Sequence, residues 1–290
     1  MSGFSAGWLD LREPADATAR DAALASAHSC HLPHDGTLQV VDLGCGTGAN
    51  LRWLAPRLGR RQQWLLLDDD PALLGELPRR LAAWAGIRNT PGAASDTAVN
   101  RDPEEPEMHA AWRRMDLAAG ELPVADAHLV TASALADLVS RDWLAALAAA
   151  CDAARGGQGA AVMLALCYDG RLALHPHHPH DARLRDAVNR HQHRDKGLGP
   201  ALGPTAAAGA GALFAAHGFR VTQARSDWRL GADTETMQHE LLRGWHRAAT
   251  EQVGGGAWLD EWLHWRLSRV ATPDGGVRVG HVDLLALPQR

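Results

Sequence analysis

Val40-Val41-Asp42-Leu43-Gly44-Cys45-Gly46-Thr47-Gly48 is the stretch that decides the fold of this chain. A short apolar run, of the kind buried on both faces of a parallel sheet, leads straight into a turn with glycine at every second position. Glycine has no Cβ, so Gly44, Gly46 and Gly48 predict a backbone that a ligand approaches closely. Asn50, Leu51 and residues 53–58 predict a helix directly after the turn, whose first N–H groups point at whatever lies over it. Strand, glycine turn and helix in that order predict a nucleotide-type pocket. Gly44, Gly46 and Ala49 also satisfy the dinucleotide pattern G-x-G-x-x-G/A, which keeps an NAD(P)-dependent oxidoreductase as an alternative reading. Asp42 speaks against it: a carboxylate two residues ahead of the first glycine would sit close to a pyrophosphate and repel it.

The segments on either side repeat the same alternation. Trp64-Leu65-Leu66-Leu67 predicts a second buried strand, ending in Asp68-Asp69-Asp70-Pro71. Pro71 is suited to open a helix over residues 72–84, and Pro78 is expected to kink it. Residues 112–117, 127–131 and 160–168 predict strands three to five, 219–222 a sixth and 277–287 a last one. Residues 205–217 predict an alanine-rich helix. Together these predict an α/β fold with a doubly wound, mostly parallel seven-stranded sheet. Residues 15–28 predict a helical stretch with Pro14 just ahead of it, so residues 1–34 form an N-terminal helical cap on a main domain of residues 35–290. Residues 86–106, rich in Gly, Pro, Asn, Asp and Glu, are expected to form a long mobile loop. Residues 170–204 hold six histidines and several prolines and are expected to be a lid inserted after the fifth strand. Two extra helices, over 235–250 and 257–268, fill an insertion at 235–270 after the sixth; Trp258, Trp262 and Trp265 share one face of the second, which predicts packing.

Composition limits the partners. There are 29 basic residues against 34 acidic ones in 290, so nothing points to a polyanion, and a small-molecule substrate is favoured over nucleic acid. Cys30, Cys45, Cys151 and Cys167 stand far apart with no C-x-x-C pair, which fits reduced thiols. No leader pattern and no uninterrupted apolar run of ~20 residues is present, so the chain is expected to be soluble and cytoplasmic, without membrane partners. Oligomeric state is not legible.

The stretch around Asp42 resembles the first motif of the class I S-adenosylmethionine-dependent methyltransferases, an acidic residue at a strand end followed by G-x-G-x-G. The resemblance covers residues near 38–168 and beyond them extends only to topology. It implies a Rossmann-like methyltransferase fold and S-adenosylmethionine as cofactor, held by Asp42, Gly44, Cys45, Gly46, Gly48 and Asn50. The run 67–74 is similar to the family's second motif and implies a ribose role for Asp68, with Asp69 beside it and Asp70 as a helix cap. Arg114-Met115-Asp116-Leu117 is similar to the third, with Asp116 and Leu117 at the adenine. The strand end carrying Thr131 is where the family contacts the cofactor and faces the transferred methyl. Arg12 and Arg20 could reach the methionine carboxylate, as an arginine does in some relatives, although surface solvation is the expected role of each in so arginine-rich a chain.

The acceptor side is read from what lies at the carboxyl ends of the strands. Tyr168 and Asp169 end the predicted fifth strand. Residues 189–200 pack Arg190, His191, His193 and Lys196, the only lysine of the chain, between glycines. His191 or His193 is the candidate general base, with His191 preferred and Tyr168 as the other catalytic candidate. Asp137, Asp169, Arg190 and Lys196 are candidate substrate contacts. The expected activity is methyl transfer to an O or N atom of a small molecule. Methylation of RNA or protein, and a non-catalytic module that binds the cofactor, remain alternatives. His175, His177, His178 and His180, and separately His28, Cys30, His31 and His34, raise a metal site, but neither group has a recognised ligand spacing, and no metal is expected.

Overall fold

A computed structural model describes residues 4–27, 36–85, 96–98 and 108–289. Its centre is a nine-stranded sheet in the order β3-β4-β2-β1-β5-β6-β9-β7, with β8 paired to β9. Here β1 is Leu38–Leu43, β2 Gln62–Asp68, β3 Asp96–Ala98, β4 Met108–Arg114, β5 Leu129–Ser133, β6 Ala161–His175, β7 Phe219–Arg225, β8 Trp228–Leu230 and β9 Gly276–Pro288. Leaving aside the short strands β3 and β8, seven strands remain: five are parallel, and β7 and β9 pair antiparallel. The Rossmann-like sheet expected from the sequence is therefore present.

β1 pairs with β2 on one side and β5 on the other, so the chain reverses direction across the sheet at β1. The crevice at such a reversal, outside the carboxyl ends of the strands, is where doubly wound sheets bind ligands. One face of the sheet is covered by α2 (Ala22–Ala27), α3 (Ala49–Leu58) and α4 (Pro71–Trp84), with Trp53, Trp64 and Leu77 in the core between. The other face is covered by α5 (Arg141–Gly157) and α7 (Ala206–Ala216), over Leu144, Leu147 and Phe214. A third core, around Trp245 and Trp262, joins α6 (Asp181–Gln192), α8 (Glu235–Val253) and α9 (Ala257–Leu267) to the far end of β6, and α1 (Ala6–Ala19) packs against it.

Several elements differ from the sequence reading. The N-terminal stretch is two helices that begin earlier: Ser5 Oγ caps α1 by accepting from Trp8 N at 3.1 Å, and Pro14 lies inside the helix. Arg20 breaks it with an extended backbone, φ −64° and ψ 142°. The break is held from outside, because Asp21 N donates to the buried Asp283 Oδ2 at 3.0 Å. The third strand of the reading lies at Met108–Arg114 rather than 112–117, since seven consecutive residues from Met108 match the seven of β2 in register. The fourth is displaced by two residues. The fifth runs on to His175, so the expected lid of 170–204 begins as strand, and most of the rest is α6. Of the expected loop at 86–106 the described part is the strand Asp96–Ala98, and the remainder lies outside the described residues, as does the group His28, Cys30, His31 and His34. Trp262 is fully buried and donates from Nε1 to Asp181 Oδ1 at 2.9 Å, while Trp258 and Trp265 stack against His180 and His178, so the tryptophan stripe is packing.

Candidate functional site

The glycine turn folds as its composition demands. Gly46 and Gly48 adopt φ of +54° and +80°, a region L side chains rarely enter. A Cβ on Gly46 would come within 3.0 Å of a Leu9 methyl on α1, and one on Gly48 within 2.8 Å of a Leu77 methyl on α4; these flexible side-chain ends can shift, so it is the positive φ that calls for glycine. Over the turn opens a cavity of about 400 Å³, within the range of small-molecule sites. With Gly44 and Gly46 as its floor, it is lined also by Asp68, Asp69 and Asp70, by Ser133, Ala134 and Leu135 at the end of β5, by Leu9 and Arg12 of α1, and by Lys196 in the loop after α6. Ala134 stands at φ +53°, an uncommon conformation at the tip of β5 beside the cavity.

Asp68 is set by its neighbours. Oδ2 accepts from Gly46 N at 2.8 Å and Oδ1 from Asp70 N at 2.9 Å, so the carboxylate joins the glycine turn to the start of α4. Burial raises its pKa while these backbone bonds oppose the rise. A carboxylate oxygen accepts more than one hydrogen bond, so both remain able to receive hydroxyls from the cavity side. Asp70 is the N-cap of α4, accepting from Ala72 N at 2.8 Å, and Asp69 accepts from Arg114 Nε at 3.1 Å on the cavity's outer lip.

Beneath the turn lies a buried polar cluster. Asp42 is fully buried; Oδ1 accepts from Asn50 Nδ2 at 2.7 Å, and Oδ2 has no partner. Asn50 Nδ2 also reaches the Thr131 hydroxyl at 3.2 Å, and Asn50 Oδ1 accepts from Arg20 Nη1 at 2.8 Å. Arg20, only 6% exposed, stacks its guanidinium 3.9 Å from the centre of the Trp53 ring, and its Nε and Nη2 have no partner. Burial pushes Asp42 up to about 7 against the opposing pull of Asn50 and Arg20. It also pulls Arg20 down to about 10. A second cavity, of about 320 Å³, is lined by Arg20, Asn50 and Ser133, and Ser133 also lines the first.

Arg12 and Arg20 are thus buried, contrary to the surface role expected of them; Arg12 pairs with Asp16 and lies over Trp228. Lys196 lines the cavity as its sequence context suggested. Asp137 is buried in the short turn that follows β5, next to the lining residues Leu135 and Leu138. Thr131 is buried behind Asn50 rather than on the cavity wall, and Cys45 is buried with its thiol pushed well up by burial.

Other expected site residues lie elsewhere. Asp116 is exposed and closes its own turn by accepting from Ala118 N at 2.9 Å. Leu117 is a core residue whose carbonyl accepts from Trp143 Nε1; neither it nor Asp116 lines the cavity, because the strand before them ends sooner than the reading placed it. His191 hydrogen-bonds Glu251 at 2.9 Å between α6 and α8, which leaves it outside the cavity lining and removes the geometric ground for a general base. Arg190 is on the exposed side of the same helix. Tyr168 is buried and donates to Asn189 Oδ1 at 2.7 Å, with its hydroxyl pKa pushed up by burial, so it is a packing and positioning group. Asp169 is engaged by the backbone N and Nε of Arg171. Because β6 runs on to His175, Tyr168 and Asp169 lie within the strand rather than at its end, and Arg190 and His191 fall on the helix α6 that follows. Among the described residues no group of three His, Cys, Asp or Glu side chains could hold a metal ion.

Two buried residues escaped the sequence reading. Asp283 on β9 accepts from Leu166 N at 2.8 Å as well as from Asp21 N, fixing the bulge of β6 where Leu166 stands at φ +54°. His281 is packed between Tyr168 and Trp228, and burial drives it down to about 3, so it stays neutral. Nothing in the local sequence marks either, because each is defined by strands distant in the chain.

The chain matches no protein-family model and no curated protein. Among solved structures it is similar to the YcgJ protein of Bacillus subtilis, at 12% identity and TM-score 0.47, over 93% of this chain and 100% of that one. It is similar also to an S-adenosylmethionine-dependent methyltransferase of Thiobacillus denitrificans in complex with S-adenosylhomocysteine, at 15% identity and TM-score 0.42, over 97% and 98%. A third is the cyclopropane synthase MmaA2 of Mycobacterium tuberculosis, at 12% identity and TM-score 0.45, over 91% and 83%. Likeness at this level carries no activity across, since one fold hosts many chemistries.

Proposed function

We propose that this protein is an S-adenosylmethionine-dependent methyltransferase acting on an O or N atom of a small molecule. The observation that carries the proposal is the pair of unsatisfied, oppositely charged groups under the glycine turn: Asp42 Oδ2, and Arg20 Nε and Nη2. Buried polar groups left without partners are costly, by about 1–3 kcal/mol each, and call for a ligand that completes them. An α-amino acid end carries the matching ammonium and carboxylate. Asp68, whose Oδ2 accepts from Gly46 N in the turn, would accept both hydroxyls of a ribose. A molecule with a nucleoside at one end and an amino acid at the other satisfies both sites; a dinucleotide satisfies only the second and would bring phosphates towards Asp42.

When bound, such a cofactor supplies a methyl group on a positively charged sulfur. The chain's own contribution is then alignment, since a nucleophile, methyl carbon and sulfur held in line can gain up to ~7 to 11 kcal/mol from orientation alone. Asp68 fixes the sugar, Asp42 and Arg20 fix the amino acid end, and Ser133, Ala134 and Leu135 form the wall along which an acceptor would approach. The side chains of Leu9 and Leu138 add apolar lining to the cavity. Incubation with isotopically labelled S-adenosylmethionine and a small-molecule extract should yield labelled product and S-adenosylhomocysteine; binding of NADH in preference to S-adenosylhomocysteine would overturn the reading.

The Asp42 site predicts a pH dependence. Its folded pKa of about 7 lies above the ordinary 3.8, so below about 7 it is a neutral acid and above it a carboxylate. Only the carboxylate attracts an ammonium, so affinity for S-adenosylhomocysteine is expected to rise roughly tenfold between about pH 6 and about pH 8, following the ionised fraction. The ligand-free protein responds with the opposite sign: the stability Asp42 contributes is present below 3.8 and lost as pH rises through about 7. Asp42→Asn should flatten both profiles, as read by calorimetry and by urea unfolding at a series of pH values; a binding profile unchanged in the variant would remove Asp42 from the site.

A further inference from the structure

Two cations lining the cavity over the glycine turn have hydrogen-bonding capacity that no described residue uses. Arg12 donates from Nε and Nη2 to Asp16, at 2.8 and 3.1 Å, and its Nη1 makes no hydrogen bond to a described residue. Lys196 is half-buried on the cavity wall and makes no hydrogen bond or ion pair among the described residues. It is not a loose surface lysine. Asp195 Oδ1 accepts from Gly197 N at 2.7 Å, and Leu198 O accepts from Ser140 N at 3.1 Å, so the loop that carries it is pinned to the start of α5.

Between these cations and the tip of β5 the wall is apolar, formed by Leu135 and Leu138. Asp137 lies buried beneath that wall, where the charges of both Arg12 and Lys196 act on it, but it forms an ion pair with neither. Arg12 Nη1 and Lys196 Nζ, on residues that line the cavity, therefore have no acceptor among the described residues. A partly desolvated charge is stabilised by an opposite charge with hydrogen-bond acceptors, and carboxylate and phosphate oxygens are the common ones. The amino acid end of the cofactor is matched separately by Arg20, so it does not use this pair.

We propose that the methyl acceptor is a small molecule with an anionic group, a carboxylate or a phosphate, that docks between Arg12 and Lys196, with its nucleophilic N or O directed back towards Ser133 and Ala134. This rests on the methyl-transfer reading. The anionic group is distinct from the atom that is methylated. It anchors the acceptor, whose body then lies along Leu135 and Leu138.

The test uses the full chain, methyl-labelled S-adenosylmethionine and a small-molecule extract of the cells that make the protein. Mass spectrometry of the labelled product after treatment with acidic methanol reveals a carboxylate by esterification, and treatment with phosphatase reveals a phosphate by its loss. A labelled product bearing either group supports the proposal. Lys196→Met should lower product formation about tenfold or more at low extract concentration, as for one lost charge-assisted contact, and added extract should restore it. Lys196→Arg should retain product formation, and neither variant should change affinity for S-adenosylhomocysteine. A labelled product with no anionic group overturns the proposal and leaves methyl transfer standing. Weakened S-adenosylhomocysteine binding in Lys196→Met also overturns it, because the lysine would then belong to the cofactor. Absence of any labelled product overturns both readings.

Discussion

Asp68→Ala is expected to bind S-adenosylhomocysteine at least ~100-fold more weakly than the wild type, since two charge-assisted hydrogen bonds at about 1.5–3 kcal/mol each are lost together. The size of the effect follows from what the carboxylate does in two directions. Towards the protein it accepts from Gly46 N and Asp70 N, and so holds the glycine floor against the start of α4. Towards the cavity it offers the remaining lone pairs to a diol. Alanine abolishes both, leaving two backbone donors at the cavity edge without their acceptor. Calorimetry on the variant, with circular dichroism to show that it is folded, is the measurement; affinity equal to wild type would mean that the sugar does not lie at Asp68.

Trp262→Ala is expected to do the reverse, lowering stability by about 3–5 kcal/mol in urea unfolding while leaving S-adenosylhomocysteine affinity unchanged under native conditions. Trp262 is fully buried, and its Nε1 donates to Asp181, which also pairs with Arg266. Truncation opens a void between α9 and α6 and takes one donor from a carboxylate at the head of α6. The helices concerned form a core separate from the glycine turn, so the damage should stay there. A destabilisation under about 1 kcal/mol would contradict the assignment of the tryptophan stripe to packing.

These two substitutions mark the boundary of what the sequence disclosed. The glycine turn, Asp68 and Asp70 were legible because each is fixed by neighbours within a few residues: a positive φ needs glycine, and a helix beginning at Pro71 needs a cap. Asn50 is also legible, as the second residue of the helix that follows. The general base was not. His191 was attractive as an imidazole in a glycine-bounded segment, but whether that segment closes over the strand tips depends on where β6 ends, and β6 continues seven residues past Tyr168, to His175. The continuation is stabilised by pairing with β9, more than a hundred residues later, which local periodicity does not register. Arg20 was misjudged for a related reason. In a chain with so many arginines, the one that matters differs from the rest only by stacking on Trp53 and reaching Asn50, contacts created by the break between α1 and α2. Asp283 holds that break from the opposite end of the chain. Asp116 stands two residues past Arg114, the cavity-lining end of β4, in an exposed turn that it closes by accepting from Ala118 N, and where β4 ends is set by its register with β2 rather than by local pattern.

In the proposed function Asp68 binds the nucleoside end, and Asp42 with Arg20 beneath the glycine turn the amino acid end, of one adenosyl amino acid. Calorimetric titration of the full chain with S-adenosylhomocysteine at about pH 8, where Asp42 is ionised, tests it most directly. A saturable heat with one site per chain, lost when either adenosine or homocysteine is offered alone at the same concentration, is the predicted result. No heat, or equal binding of adenosine alone, would contradict it.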